Sequence, residues 1–169
     1  MFERLIRRAL KRTVREFFNP SVAVKKVKIK QEVQNQTVAG IITTTEVVTQ
    51  IEIIRGRAHV IDGDTIVIGE YHIRLAGIDA PELHNPYGKQ AKWAMVNLCK
   101  GQHITAHLTG ETSYNRYVAK CFLDDGRDLA AEMVKLELAL DIPHFPNADY
   151  KHLETPNARR KLTWHPKQR

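Results

Sequence analysis

The sequence predicts an α+β chain in which strands dominate, a five-stranded barrel carrying about three helices, preceded by a basic amphipathic helix and an extended arm. Three observations lead there. Short β-branched runs with near alternation recur from Ile51 onward, a two-residue turn separates two of them, and helical periodicity appears only after the third and the fifth run. The expected division is a helix and arm over residues 1–50 and a folded domain over residues 51–169.

Each element has its own warrant. Phe2, Leu5, Ile6, Ala9, Leu10, Val14, Phe17 and Phe18 recur at helical spacing among arginines, and Asn19-Pro20 ends that pattern. Residues 21–50 are β-branched and polar without a clear repeat, which suits an extended arm. Residues 57–61 and 65–68 read as strands, and Gly69-Glu70 is a two-residue Gly-X turn into a third strand over residues 71–75. Asn85-Pro86 marks a helix start, with Tyr87, Ala91, Ala94, Met95 and Leu98 on one face and Gly101 as the stop.

Residues 103–108 are a further strand, followed by a short polar loop and a strand over residues 116–123. Asp128 then caps a helix whose apolar stripe is Leu129, Met133, Leu136 and Leu140. A last helix starts with Thr155 as cap and Pro156 in its first turn. Three strands, a helix, two strands and a helix is the layout of an OB-type barrel.

Length and composition fit one ordinary domain with some extra chain: 169 residues, 43% hydrophobic. The net charge of +7 is unevenly spread, with +8 in residues 1–30 and −1 in the remainder. The basic helix suits an anionic membrane surface, nucleic acid, a targeting role or a protein partner, or it docks on its own domain. Cys99 and Cys121 lie in apolar surroundings without C-x-x-C spacing and read as buried free thiols. The basic start MFERLIRRALKR is not followed by an uninterrupted apolar stretch, and Thr, Gln and Glu break the run TVAGIITTTEVVTQIEII. With neither a secretory signal nor a membrane span recognised, the expected location is cytoplasmic or membrane-peripheral.

The chemistry concentrates in VIDGDTIVIGEYHIRLAGIDAPE, residues 60–82. Asp64 and Asp79 flank the open ends of the predicted hairpin, close enough to share one hard divalent cation, which takes oxygen ligands. Asp62-Gly63-Asp64 is equally the composition of a plain turn. Arg74 either neutralises these acids in a structural network or offers a bidentate fork to a phosphate. Glu82 is either a further metal-associated oxygen or a general base that activates water. Spacing alone leaves both readings open.

The motifs D-G-D-T, I-R-L and G-I-D-A-P-E in register, then NPYGKQAK, Tyr114-Asn115-Arg116 and DLAAEMVKLELA, resemble the staphylococcal nuclease family over roughly residues 55–164. The resemblance implies an OB-fold and Ca²⁺-dependent hydrolysis of DNA and RNA with little sequence specificity, leaving 3′-phosphorylated products. It implies Asp64, Asp79 and the Ala80 backbone carbonyl as metal ligands and Asp62 in the outer shell. It also implies Glu82 as general base, Arg74 and Arg116 as the pair holding the scissile phosphate, and Tyr114 as a contact to a terminal phosphate.

Ala80 stands where the founding member has threonine, and Asn115 where it has glycine, a position where Asn tolerates positive φ. Past the DLAAEMVKLELA helix the expected tyrosines are absent and only His144 and Phe145 are offered; Trp164 is expected to pack the last segment onto the barrel. His59, His72, His84 and His152 have no metal spacing. The competing class is a noncatalytic OB module that binds nucleic acid, disfavoured by the acidic centre of the predicted groove.

Overall fold

A computed structural model of the chain describes residues 22–32, 36–38, 41–43, 46–142 and 150–162. The basic helix over residues 1–18, His144, Phe145 and Trp164 lie outside the described residues.

Among the described residues the architecture is mixed α+β with strands dominant. The strands are β1 (Ala23–Glu32), β2 (Gln36–Val38), β3 (Ile41–Thr43), β4 (Glu46–Gly56), β5 (Ala58–Val60), β6 (Thr65–Ile68), β7 (Tyr71–Leu75), β8 (Ile78–Asp79), β9 (Ile104–Ser113), β10 (Arg116–Phe122) and β11 (Leu140–Asp141). The helices are α1 (Gly88–Cys99), α2 (Leu129–Lys135) and α3 (Ala158–Lys161), with one 3₁₀ turn at Lys151–Leu153. Seven strands form one sheet in the order β1-β4-β9-β10-β7-β6-β5, and β8–β11 and β2–β3 pair separately.

The expected five-stranded barrel appears as a seven-stranded sheet that is not closed by strand pairing and has two edges, β1 and β5. Residues 21–50 supply the added edge strand and part of β4. β1 runs antiparallel along β4 from Ala23↔Arg55 to Glu32↔Glu46, while the other side of β4 pairs with β9 from Ile53↔His107 to Gly56↔Ile104. Over Ile53–Arg55 both hydrogen-bonding sides of β4 are therefore occupied, one by the added strand β1. The arm read from residues 21–50 is thus largely paired strand, and β4 runs through position 50 without a break.

The β6–β7 hairpin forms as expected, with Ile68↔Tyr71 closing it and Gly69 supplying φ 62. β9 runs to Ser113, so the expected polar loop is mostly strand, and the connection shrinks to Tyr114 and Asn115, at φ 46 and φ 60. Two successive positive-φ residues match the right-handed twist of a tight hairpin, which is why a polar stretch stays paired.

α1 begins at Gly88 rather than at Asn85-Pro86, because those residues make a turn in which the Asn85 N–H donates to the Glu82 carbonyl at 2.8 Å and the Gly88 N–H to the Asn85 carbonyl at 3.0 Å. Its buried face is Ala91, Met95 and Cys99, and Gly101 at φ 79 follows its end. Asp128 caps α2 as expected, accepting from the N–H groups of Ala130 at 2.8 Å and Ala131 at 3.3 Å.

That helix is shorter than its apolar stripe suggests. Glu137 at φ 57 ends it, with the Leu138 N–H donating to Met133 O and the Glu137 N–H to Val134 O, the paired bonds of a Schellman stop. Leu136 is consequently exposed and Leu140 belongs to β11. α3 starts at Ala158, two residues beyond Pro156, although the Thr155 hydroxyl does accept the Ala158 N–H at 3.2 Å.

The core lies between the sheet and α1 and α2, with Ile54, Ile66, Ile73, Leu75, Met95, Ile104, Leu129 and Met133 fully enclosed. Cys99 and Cys121 are buried free thiols there, and burial raises both, Cys99 to about 12. No described helix is long and apolar enough to cross a membrane.

Candidate active site

The β6–β7 hairpin places the first pair of charged side chains. Thr65 sits opposite Arg74, and one residue earlier the Asp64 carbonyl accepts the Leu75 N–H at 2.8 Å, so Asp64 is drawn onto the end of the ladder. Its side chain ends up buried, and a carboxylate there is costly unless it is paired and hydrogen-bonded.

Arg74, itself buried, provides the pairing. Its Nη1 donates to Asp64 Oδ2, and its Nη2 donates to Asp79 Oδ1 at 2.9 Å and to the Ile78 carbonyl at 3.1 Å. One guanidinium therefore bridges both acids. Burial pushes the Asp64 carboxyl above its ordinary 3.8, with the Arg74 charge opposing that rise. For Arg74 burial acts downward, and the contacts with Asp64 and Asp79 outweigh it and hold the guanidinium firmly charged.

Asp64 has further partners. The Thr65 hydroxyl donates to its Oδ1 at 2.9 Å, and the Ala80 N–H donates to its Oδ2 at 3.4 Å. The Asp64 N–H in turn donates to Asp62 Oδ1 at 3.1 Å, so the D-G-D segment is a side-chain-stabilised turn. That turn packs tightly on its neighbours: a Cβ on Gly63 would lie 2.6 Å from that of Ala80 and 2.8 Å from that of Ala91. Asp79 is held in place by strand pairing, opposite Leu140 of β11.

Arg116 arrives from a distant part of the chain. β10 runs parallel to β7, with Val118 opposite Arg74, and this brings Arg116 Nη1 to the Thr65 hydroxyl as a donor at 3.0 Å. Its Nε donates to the Ser113 carbonyl at 3.2 Å, which fixes the stem of the fork. Thr65 thus accepts from one arginine while donating to the acid that the other arginine holds. Its side chain is the link that sequence reasoning missed, although it stands inside the D-G-D-T motif.

Asp62, Asp64, Arg74, Asp79, Ala80 and Arg116 are therefore gathered at one end of β6, β7 and β10. The Glu82 side chain is exposed on the following loop and makes no hydrogen bond with the described residues, though its backbone is clamped. A Cβ on Gly88 would fall 1.9 Å from the Glu82 carbonyl oxygen, so only glycine permits this approach. Tyr114 stands at the β9–β10 tip, two residues from Arg116, and is 73% exposed. His59, His72, His84 and His152 are exposed.

No group of three or more His, Cys, Asp or Glu side chains assembles among the described residues. The donors at hand are two carboxylates that already converge on one positive group, with the Ala80 backbone beside them. Such oxygen donors fit a hard cation that completes its shell with water.

The sequence model of the family described as staphylococcal nuclease homologue matches residues 72–161. A probable staphylococcal-like nuclease of Oryza sativa subsp. japonica is 39% identical over 62 residues, covering 37% of this chain and 19% of the relative. A probable endonuclease of Phaeosphaeria nodorum is 34% identical over 89 residues, 46% of this chain and 30% of its own length. A succinoglycan biosynthesis protein of Rhizobium meliloti is 32% identical over 101 residues, 53% of each. The chain thus spans about a fifth of the rice protein and about half of the rhizobial one. With the family match running from β7 through α3, over more than half of its residues, the chain belongs to the staphylococcal nuclease homologue family.

Proposed function

We propose that the chain is a Ca²⁺-dependent nuclease that hydrolyses phosphodiester bonds of DNA and RNA with little sequence specificity and leaves 3′-phosphorylated products. The observation that carries this reading is the convergence of two acids and two arginines, linked through Thr65, at one end of β6, β7 and β10. Membership of the family and relatives named as nucleases support it. The order β5-β6-β7, helix, β9-β10, helix also supports an OB-type arrangement, here with β1 added beside β4.

Asp64 and Asp79, with the Ala80 carbonyl, would hold the cation, and Asp62 would keep the turn beneath it. A bound divalent cation supplies charge that polarises a phosphoryl oxygen and favours ionisation of water. The protein's own residues then have distinct tasks. Arg74 and Arg116 would offer N–H groups to the non-bridging oxygens of a phosphodiester and stabilise the charge that grows on them in the transition state. Glu82, exposed on a clamped loop, accepts a proton from the attacking water. Tyr114, exposed at the hairpin tip, would contact a terminal phosphate.

The products test the reading. Single-stranded DNA and RNA incubated with the protein and Ca²⁺ are expected to yield fragments with 3′-phosphate ends, detected by their resistance to 3′ extension until a phosphatase removes the group. Fragments with 3′-hydroxyl ends would contradict the proposed displacement of the 5′-oxygen.

A further inference from the structure

A second concave feature lies apart from the carboxylate cluster, between β5 and the C-terminal half of α1. It encloses about 410 Å³ and is lined by Arg57, His59, Lys92, Trp93, Val96 and Lys100 among others, none of them acidic. Its volume falls in the range of ordinary ligand clefts. Trp93 is 64% exposed, the largest aromatic surface the helix offers to solvent. Arg57, Lys92 and Lys100 form no ion pair with the described residues. The acid near this rim, Asp124, is neutralised by Arg55 at 2.7 Å and also accepts the His103 N–H at 3.1 Å.

Cations without an acidic partner among the described residues, set beside an exposed indole, suit a single nucleic-acid strand. The cations follow its phosphates and the ring takes a base by stacking, whatever the sequence. The elements that line the groove also adjoin the site. β5 leads directly into the Asp62–Asp64 turn, and Gly63 of that turn presses on Ala91, the residue before Lys92 and Trp93 on α1.

We propose that this groove is a track for a single strand of DNA or RNA lying beyond the scissile phosphate, with Trp93 stacking a base and Arg57, Lys92 and Lys100 holding phosphates. The identity of the ligand rests on the nuclease reading, since an acidic peptide would satisfy the cations as well.

The test is binding of a fluorescein-labelled oligothymidylate to the full chain in excess chelator, followed by fluorescence anisotropy across a salt series. Trp93→Ala is expected to weaken binding about tenfold, in line with stacking on an aromatic platform. Lys92→Ser is expected to lower the slope of log affinity against log salt by about 0.7, one phosphate contact to a single strand. Both side chains are on the surface, and matching thermal melts of variants and parent would establish that folding is intact.

Unchanged affinity in Trp93→Ala together with an unchanged salt slope in Lys92→Ser would overturn the proposal. Polyglutamate binding that is equally tight and equally dependent on Trp93 would overturn the choice of ligand. If Trp93-dependent oligonucleotide binding is found in chelator but no cleavage follows when Ca²⁺ is supplied, the groove stands and the nuclease reading falls.

Discussion

Thr65 shows how much of the site depends on one small side chain. Its hydroxyl donates to Asp64 Oδ1 and accepts from Arg116 Nη1, so Thr65→Val keeps the shape while leaving a buried carboxylate oxygen and a guanidinium N–H each short of a partner. The expected cost is about 1–3 kcal/mol of folding stability. Urea denaturation reads this, with the midpoint falling and the slope unchanged. That Asp64, Arg74 and Asp79 would lie together was legible in the sequence because a tight turn joins the two strands they lie on or beside, whereas their roles rest on the family resemblance. The role of Thr65 was not legible, because it exists only once β10 comes to lie along β7 and brings in Arg116, 51 positions further along the chain. Glu82 is a different case. Its place in G-I-D-A-P-E is plain from sequence, but its exposure and the clamp on its carbonyl come from the packing of Gly88.

Among the elements, that clamp makes a sharp prediction. Gly88→Ala would drive a methyl group into the Glu82 carbonyl, and neither backbone segment can turn aside as a long side chain could. A loss of about 1–3 kcal/mol is expected, as for overpacked positions, read as a lower melting temperature. Nuclease activity is expected to fall more than the loss of folded protein accounts for, because the loop bearing Glu82 must move. The sequence shows helices well as periodic patterns and badly as boundaries, for reasons visible here. The α1 start is displaced because Asn85 and Pro86 serve a turn, and α2 stops at Glu137 because the following apolar residues are drawn into other packing, Leu140 pairing with Asp79 through β11. The first is a local turn that helical spacing does not distinguish, and the second involves a partner distant in sequence, which periodicity cannot report.

For the whole molecule, the largest departure from the sequence reading is the use made of residues 21–50. Their alternation is irregular because β1 sits at the sheet edge, where Ala23, Val24, Lys25 and Lys26 are exposed and no strict apolar face is required. Deleting residues 1–50 would remove β1 and cut β4, so the melting temperature of that truncation is expected to fall well below the parent's in a calorimetric scan. An unchanged melt would mean that the β1–β4 pairing contributes nothing. Acid stability follows from charges spread over the surface and the C-terminal packing. Burial acts to raise the Glu154 carboxyl, but bonds from Lys151, the Asp141 N–H and Arg159 outweigh it, so its folded value lies below the ordinary 4.5. Its contribution is therefore present above that pH and is lost as pH falls through the depressed value. Melts of parent and Glu154→Gln should differ at neutral pH and converge as the pH is lowered beneath the carboxylate range; a gap that stays constant would contradict the sign. The proposed action of Asp64, Arg74, Asp79, Glu82 and Arg116 as a metal-dependent phosphodiesterase is tested most directly by cleavage of single-stranded DNA in Ca²⁺ and in excess chelator, with parent and Glu82→Gln side by side. Cleavage by the parent is expected only with Ca²⁺, and the rate of Glu82→Gln is expected to be about 10²–10⁴-fold lower at unchanged stability. Cleavage that persists in chelator, or a Glu82→Gln rate equal to the parent's, would contradict it.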